Sequence, residues 1–151
     1  MDCQTVMREI ETRLYAEDPA GTAIDFMTET HMGLVPVVDR DEKFVGLLSG
    51  DRLAHLMLPK MLTMVRGVTR ASYLRESRAE LRERLEALRD RPIGELVDRS
   101  AQVVRPDTPL VDAMFMLSNK QYVVPVVTDE GRLVGAISFF SVMHWLGESG
   151  Q

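Results

Sequence analysis

The feature that most constrains the fold is an internal repeat with a spacing of 89 residues. The segment 35–38, VPVV, recurs as 124–127, VPVV, and Gly46 recurs as Gly135. The register holds without a gap from residue 18 to residue 55 of the first copy. A repeated unit of this size cannot bury its apolar face alone, so two copies predict a pseudo-two-fold pair with a cleft between the halves. Such a cleft favours ligand binding over catalysis.

Each copy shows the same order of secondary-structure signals. Copy two predicts a strand at 101–104, a helix at 109–119, strands at 122–127 and 132–137, and a closing helix at 139–146. Copy one predicts the matching elements near 13–16, 21–30, 34–38, 44–48 and 50–58. The sequence therefore predicts an α/β fold of two tandem β-α-β-β-α units.

The segment between the copies is not repeated. Leu74, Leu81, Leu85 and Leu88 follow helical spacing and predict an amphipathic helix over about 72–89. This helix either crosses from one copy to the other while its leucines pack, or forms a partner or dimer surface. We expect three regions: repeat one at 1–58, the helical insertion at 59–91 and repeat two at 92–151.

Charge does not favour nucleic-acid binding. The chain has 18 basic and 23 acidic side chains, a net charge of −5. Residues 60–91 are locally basic, with nine basic and five acidic side chains, but the acidic residues interrupt the arginines and aromatic residues are scarce.

The single cysteine and the hydropathy pattern bear on location. With Cys3 alone, no internal disulfide can form, and a reducing compartment is expected. Near the chain terminus, Cys3 is expected to be an exposed thiol. No apolar run has the length of a membrane span, and the first residues do not resemble a signal peptide. A cytoplasmic location and no membrane contact are expected.

The VPVV hairpins, each followed by Gly, two apolar residues and Ser, resemble those of a CBS-domain pair, or Bateman module. The turn-and-proline segments at 17–19 and 105–109 fit the same pattern. The resemblance implies a stand-alone module that binds an adenosine-type ligand between its repeats: AMP, ADP, ATP, S-adenosylmethionine, NAD or a cyclic dinucleotide. It also implies a homodimer that signals ligand occupancy to a regulated protein such as a transporter, kinase or other enzyme.

The resemblance also names candidate ligand-binding residues. In nucleotide-binding members, a Ser or Thr ends the last strand, and an Asp three positions later holds the ribose. Ser49 and Ser138 match the hydroxyl position, but Arg52 and Ser141 stand where the Asp belongs, and Asp51 lies one step early. The complete set of candidates is Ser49, Asp51, Arg52, Ser138, Ser141, Tyr122, Val35 and Val124.

The candidates have alternative roles. Ser49 and Ser138 could simply cap the helices that follow them. The residue Tyr122 could stack on a base or pack at an interface. The positions that are often basic in phosphate-binding relatives carry no basic residue here, and an acidic Asp51 would repel a phosphate.

Two hypotheses for function follow. The first is a regulatory module that senses an adenosine-containing ligand and requires no cofactor. The second is a dimerisation or interaction module whose nucleotide sites have degenerated, because both ribose carboxylates are missing. No motif of nucleophilic, metal-dependent or P-loop catalysis is present, so neither an enzyme nor a metal site is expected.

Overall fold

The computed structural model describes residues 1–63 and 75–149 and confirms the α/β fold with tandem repeats. The helices are α1 (Cys3–Val6), α2 (Ala20–Thr30), α3 (Gly50–Leu56), α4 (Lys60–Thr63), α5 (Arg78–Arg89), α6 (Leu110–Ser118) and α7 (Phe139–Ser149), with a 3₁₀ turn at Ile93–Glu95. The strands are β1 (Leu34–Val38), β2 (Phe44–Ser49), β3 (Val123–Val127) and β4 (Leu133–Ser138). The first strand predicted in each copy is reduced to a single parallel bridge.

Each copy forms one antiparallel hairpin in the same register. Leu34 pairs with Ser49 in the β1–β2 hairpin, and Val123 pairs with Ser138 in the β3–β4 hairpin. Most of the β-branched residues of these strands are buried on the core side, as is typical of apolar runs that form strands. Both hairpins therefore end at a serine on the same side of the molecule.

The two hairpin turns meet each other. The Phe44 N–H donates to the Gly131 carbonyl (2.9 Å), and the Leu133 N–H donates to the Glu42 carbonyl (3.0 Å). These residues are repeat equivalents, so the pseudo-two-fold axis passes between the turns. Gly131 has φ +90°, and Glu42 takes the same left-handed region at φ 65° without being glycine. The pairing of the two turns supports this unfavourable backbone conformation of Glu42.

The two copies exchange their N-terminal segments. Cys3 and Val6 of α1 lie in the hydrophobic core of copy two, whereas Ile93 and Leu96 lie in the core of copy one. Each core therefore contains residues from both copies, and neither copy can bury its apolar side chains alone.

This exchange corrects the expectation for Cys3, which is buried rather than exposed. Its side chain is fully inaccessible, and its thiol lies 3.8 Å from the Pro109 carbonyl. Burial, followed by the charges of Asp2 and Asp112, raises the pKa of the Cys3 thiol to about 11.

The repeated glycines lie where the exchanged segments cross the hairpins. Leu47 and Asp98 exchange two backbone hydrogen bonds of 2.8 and 3.1 Å beside Gly46. Arg8 and Ala136 do the same beside Gly135. A Cβ atom on Gly46 would lie 2.6 Å from the Asp98 carbonyl oxygen, so only glycine fits without displacement of the backbone.

The inserted helix α5 is attached to copy one. It begins at Arg78, where the Ser77 hydroxyl accepts the Glu80 N–H (3.2 Å); residues 72–74 of the predicted helix lie outside the described residues. Leu88 enters the core of copy one. At the end of α5, Arg89 donates two hydrogen bonds to the Asp25 carboxylate of α2 (2.9 and 3.1 Å). Of the four leucines in the predicted stripe, Leu88 is buried, Leu85 is half-buried, Leu81 is exposed and Leu74 lies outside the described residues. The helix therefore packs on copy one at its C-terminal end, and the rest of the described stripe is not fully buried within the chain.

Candidate ligand-binding cleft

A cleft of about 1160 Å³ lies between the two copies. Both copies contribute equivalent segments to its wall: 31–34 of copy one and 120–123 of copy two. The ends of both hairpins, Ser49 and Ser138, also line it. The cleft therefore lies across the pseudo-two-fold relation and is large enough for a nucleotide-sized ligand.

The two serines hold the ends of the helices that follow the hairpins. The Ser49 hydroxyl accepts the Arg52 N–H (3.0 Å), and the Ser138 hydroxyl accepts the Ser141 N–H (3.3 Å). A serine hydroxyl that accepts one such bond still has a hydrogen to donate. Helix capping and a hydrogen bond to a ligand are therefore compatible at both positions.

Copy two gives the cleft an aromatic wall. Tyr122, Phe139 and Phe140 line it with 65%, 59% and 76% of their surfaces exposed. The two phenylalanine rings meet edge to face, with centroids 5.4 Å apart. The flat faces of these side chains are suited to stacking on a planar heterocycle.

Copy one gives the same cleft a polar and acidic wall. Asp51 lines the cleft at the position equivalent to Phe140 of copy two, and Gly33 is the equivalent of Tyr122. The two repeat-equivalent halves of the cleft therefore differ in chemistry.

Asp98 adds a second carboxylate to the cleft. Its Oδ1 accepts the Ser100 hydroxyl (2.6 Å) and the Ser100 N–H (2.9 Å), and these bonds lower the pKa of Asp98; the charge of Arg52 lowers it further. Lys120 supplies the opposite charge at the end of α6. Of the described Asp, Glu, Lys and Arg residues, Asp51, Asp98 and Lys120 line the cleft, and the charge of Arg52 acts on Asp98 from outside it.

The structure brings four of the eight sequence candidates to the cleft and places four elsewhere. The cleft contains Ser49, Asp51, Tyr122 and Ser138. The other four, which do not line it, are Val35, Val124, Arg52 and Ser141.

The positions of these four have physical causes. Val35 and Val124 are 2% and 0% exposed because their strand faces point into the two cores. Ser141 is buried, and its hydroxyl accepts the Ser138 N–H (2.8 Å) and donates to the Ser138 carbonyl (2.9 Å). Arg52 lies on the exposed side of α3, one helical step beyond Asp51.

Sequence reasoning missed Asp98 and Lys120. Asp98 reaches the cleft only because the segment after the 3₁₀ turn crosses to copy one, a contact that no local pattern encodes. Lys120 is positioned by a left-handed helix end, with φ 72°, that its repeat equivalent His31 shares at φ 55°. Because neither residue is a glycine, nothing in the sequence indicates this left-handed backbone.

Neither a metal cluster nor a membrane helix is found in residues 1–63 and 75–149. In that part of the chain, no three His, Cys, Asp or Glu side chains lie together as a metal site. Within the same ranges, every helix is too short or too polar to cross a bilayer.

The family model for the CBS domain matches residues 3–58 and 93–148. The structure of CBSX2 from Arabidopsis thaliana is similar, with a TM-score of 0.73, 21% identity, and coverage of 97% of this chain and 94% of that one. The complex of CBSX2 with AMP has a TM-score of 0.71, 21% identity, and coverage of 99% and 98%.

A third similar structure is the complex of CbpB with c-di-AMP. Its TM-score is 0.70 at 14% identity, with coverage of 98% of this chain and 85% of that one. No curated protein sequence matches the chain. The structural similarity at these identities concerns the fold, and the family match covers both copies.

Proposed function

The chain belongs to the CBS domain family, and we propose that it is a regulatory module that binds an adenosine-containing ligand in the cleft between its repeats. Ligand binding would change the relative position of the repeats or protomers and so the affinity for a regulated protein. The proposed role involves no catalysis. We further propose a homodimer in the cytoplasm.

The observation that carries this proposal is the cleft itself. It joins an aromatic wall, including Tyr122 and Phe140, to a polar wall with Ser49 and Asp51. Adenosine complements both walls, since its flat base suits the aromatic wall and its ribose hydroxyls can donate to the polar wall. Two similar structures are complexes with adenine-containing ligands, AMP and c-di-AMP, which supports the choice of ligand class.

We propose separate roles for the lining residues. Tyr122 and the neighbouring phenylalanines would stack on the base. Ser49 and Ser138 would donate hydrogen bonds to the ligand, and Asp51 would accept from a ribose hydroxyl. The acidic charge of the polar wall makes AMP a better ligand than ATP. S-adenosylmethionine, which carries positive charge, and NAD are secondary choices.

Isothermal titration calorimetry with AMP, ADP, ATP and c-di-AMP tests the proposal. We expect binding of at least one of them, with AMP tighter than ATP. Tyr122→Ala should weaken that binding roughly 5- to 150-fold, because a base–aromatic stack is worth roughly 1–3 kcal/mol. Leu81→Ala, which truncates an exposed apolar residue outside the cleft, is the matched control. The absence of heat with all four nucleotides at millimolar concentration would refute the proposal.

The alternative is an interaction module with degenerated nucleotide sites. Two observations favour it: Ser141, at the expected ribose position, uses its hydroxyl on the backbone N–H and carbonyl of Ser138, and Arg52 lies outside the cleft. A folded protein that forms a dimer but binds none of the nucleotides would support this alternative.

A further inference from the structure

The segment that crosses from copy two brings a carboxylate close to the end of β2. Asp98 and Leu47 form an antiparallel bridge: the Asp98 N–H donates to the Leu47 carbonyl (2.8 Å), and the Leu47 N–H donates to the Asp98 carbonyl (3.1 Å). Ser49 follows Leu47 by two residues in β2, so it is the diagonal neighbour of Asp98 on the same face. Diagonal neighbours lie roughly 7–8 Å apart. Both Asp98 and Ser49 line the cleft, so one ligand can reach both side chains.

The Asp98 carboxylate is oriented through one of its two oxygens. Oδ1 accepts the Ser100 N–H (2.9 Å) and the Ser100 hydroxyl (2.6 Å). No residue in 1–63 or 75–149 donates a hydrogen bond to Oδ2. The bonds from Ser100 also lower the pKa of Asp98, so the carboxylate is ionised at neutral pH. One oxygen therefore fixes the orientation, while the other can accept hydrogen bonds from a ligand.

Asp51, the other carboxylate of the cleft, has no such support. It lies in the first turn of α3, and its side chain makes no hydrogen bond or ion pair with the described residues. An acceptor that is already oriented loses less conformational freedom on binding than one that can rotate. Asp98 is therefore the better prepared of the two carboxylates to recognise a hydroxyl of the ligand.

The residue three positions after Ser49 shows why the source of this carboxylate matters. Arg52 stands where nucleotide-binding members carry the ribose Asp, and its N–H donates to the Ser49 hydroxyl (3.0 Å). The positive charge of Arg52 also acts on Asp98 and contributes to its lowered pKa. The region beside Ser49 therefore does contain a carboxylate, but on the crossing segment instead of on α3.

The equivalent crossing on the other hairpin carries a different side chain. There Arg8 and Ala136 exchange two backbone hydrogen bonds of 3.0 Å. Ala136 is the repeat equivalent of Leu47, so Arg8 occupies the place of Asp98, and Arg8 does not line the cleft. The side chain at the crossing is therefore an acceptor in one half of the molecule and a donor in the other.

We propose that Asp98 recognises the ribose of the ligand, with Oδ2 accepting a hydrogen bond from the 2′- or the 3′-hydroxyl. This inference rests on the proposed ligand-binding function and names the residue that distinguishes a ribose from a deoxyribose. The ligand would then be held by Ser49 of copy one and by Asp98 of the segment that crosses from copy two. Asp51 would make the smaller contribution to ribose recognition.

Isothermal titration calorimetry with AMP, 2′-deoxy-AMP and 3′-deoxy-AMP tests the proposal. For the wild type, at least one deoxy compound should bind roughly 10- to 150-fold more weakly than AMP, because a hydrogen bond to a charged group is lost. Asp98→Ala should bind AMP and both deoxy compounds with nearly equal affinity. Asp98→Asn keeps an acceptor for Ser100 and should show an intermediate preference, which stays measurable where Asp98→Ala binds too weakly.

Asp107→Ala is the matched control, because it removes an exposed carboxylate that lies outside the cleft. This variant should keep the wild-type preference for AMP over the deoxy compounds. Circular dichroism confirms that each variant is folded.

Three results would overturn the assignment of Asp98 while nucleotide binding itself persists: equal binding of all three compounds by the wild type, an undiminished preference for AMP in both Asp98 variants, or a loss of preference in Asp107→Ala as large as in Asp98→Ala. A wild type that does not bind AMP would also overturn it. In that case, titration with ADP, ATP and c-di-AMP separates the two failures, since binding of any of them shows that the proposed function stands without the role of Asp98.

Discussion

Replacement of Gly46 by alanine tests whether the exchange of N-terminal segments holds the fold together. The added Cβ atom would lie 2.6 Å from the Asp98 carbonyl oxygen and 3.0 Å from Val97 Cγ2. Since the nearest atom belongs to the backbone, no side-chain rotation relieves the contact. The segment must move by about 0.8 Å to reach an ordinary carbon–oxygen distance.

This movement disrupts the two hydrogen bonds between Leu47 and Asp98. Each such bond contributes roughly 0.5–1.5 kcal/mol net, and overpacking of a buried site costs roughly 1–3 kcal/mol. We therefore expect Gly46→Ala to lower the free energy of unfolding by about 3 kcal/mol. A loss of this size is a large fraction of the stability of a single domain.

Two other glycines provide graded controls. A Cβ on Gly135 would meet the Met7 Sδ at 2.7 Å, which can move, and the Arg8 carbonyl at 3.0 Å, so Gly135→Ala should cost only about 1–2 kcal/mol. A Cβ on Gly147, in α7, would have no neighbour within 4 Å, and Gly147→Ala should stabilise by up to about 1 kcal/mol through helix propensity.

Urea denaturation followed by far-UV circular dichroism measures all three variants. The expected order of stability is Gly147→Ala above wild type, then Gly135→Ala, then Gly46→Ala. If Gly46→Ala were no less stable than Gly135→Ala, the argument that a backbone contact at the crossing requires glycine would be refuted. An altered dependence on urea concentration would instead show that the native state had changed its compactness.

Three further predictions concern burial and charge. Cys3 is buried, and the pKa of its thiol is raised to about 11. It should therefore react with a thiol reagent at neutral pH at least about 100-fold more slowly in the native chain than in the urea-unfolded chain. Equal rates would contradict its burial. Leu88→Ala should lower the free energy of unfolding by about 2–4 kcal/mol because Leu88 is 4% exposed. Leu81 is 40% exposed, so Leu81→Ala should change the free energy of unfolding little. Equal losses in urea denaturation would contradict the packing of α5 on copy one. The pKa of Asp98 is lowered from 3.8 in the folded state. The contribution of Asp98 to stability is therefore present above pH 3.8 and is lost as the pH falls through the lowered folded value. Asp98→Asn should reduce the acid dependence of stability measured by thermal melts, and an unchanged acid limb would contradict this.

The strands could be predicted because the residues that favour each strand are adjacent in the sequence. The β-branched runs around VPVV have the composition of strands, and the β1 bounds are confirmed residue by residue as Leu34–Val38. Glu42, the repeat equivalent of Gly131, adopts the same left-handed backbone although it is not a glycine. The repeated pattern of Gly, two apolar residues and Ser placed Ser49 and Ser138 at the ends of the two hairpins.

The arrangement across the molecule required the tertiary structure. Hydrophobic periodicity shows that a segment has an apolar face, but not which core receives it. Cys3 is buried only because α1 packs on copy two, and Asp98 lines the cleft only because its segment crosses to copy one. The sequence determined two equivalent units and their order, whereas contacts between residues some 50 to 130 positions apart determined how the units share their cores and which side chains face the cleft.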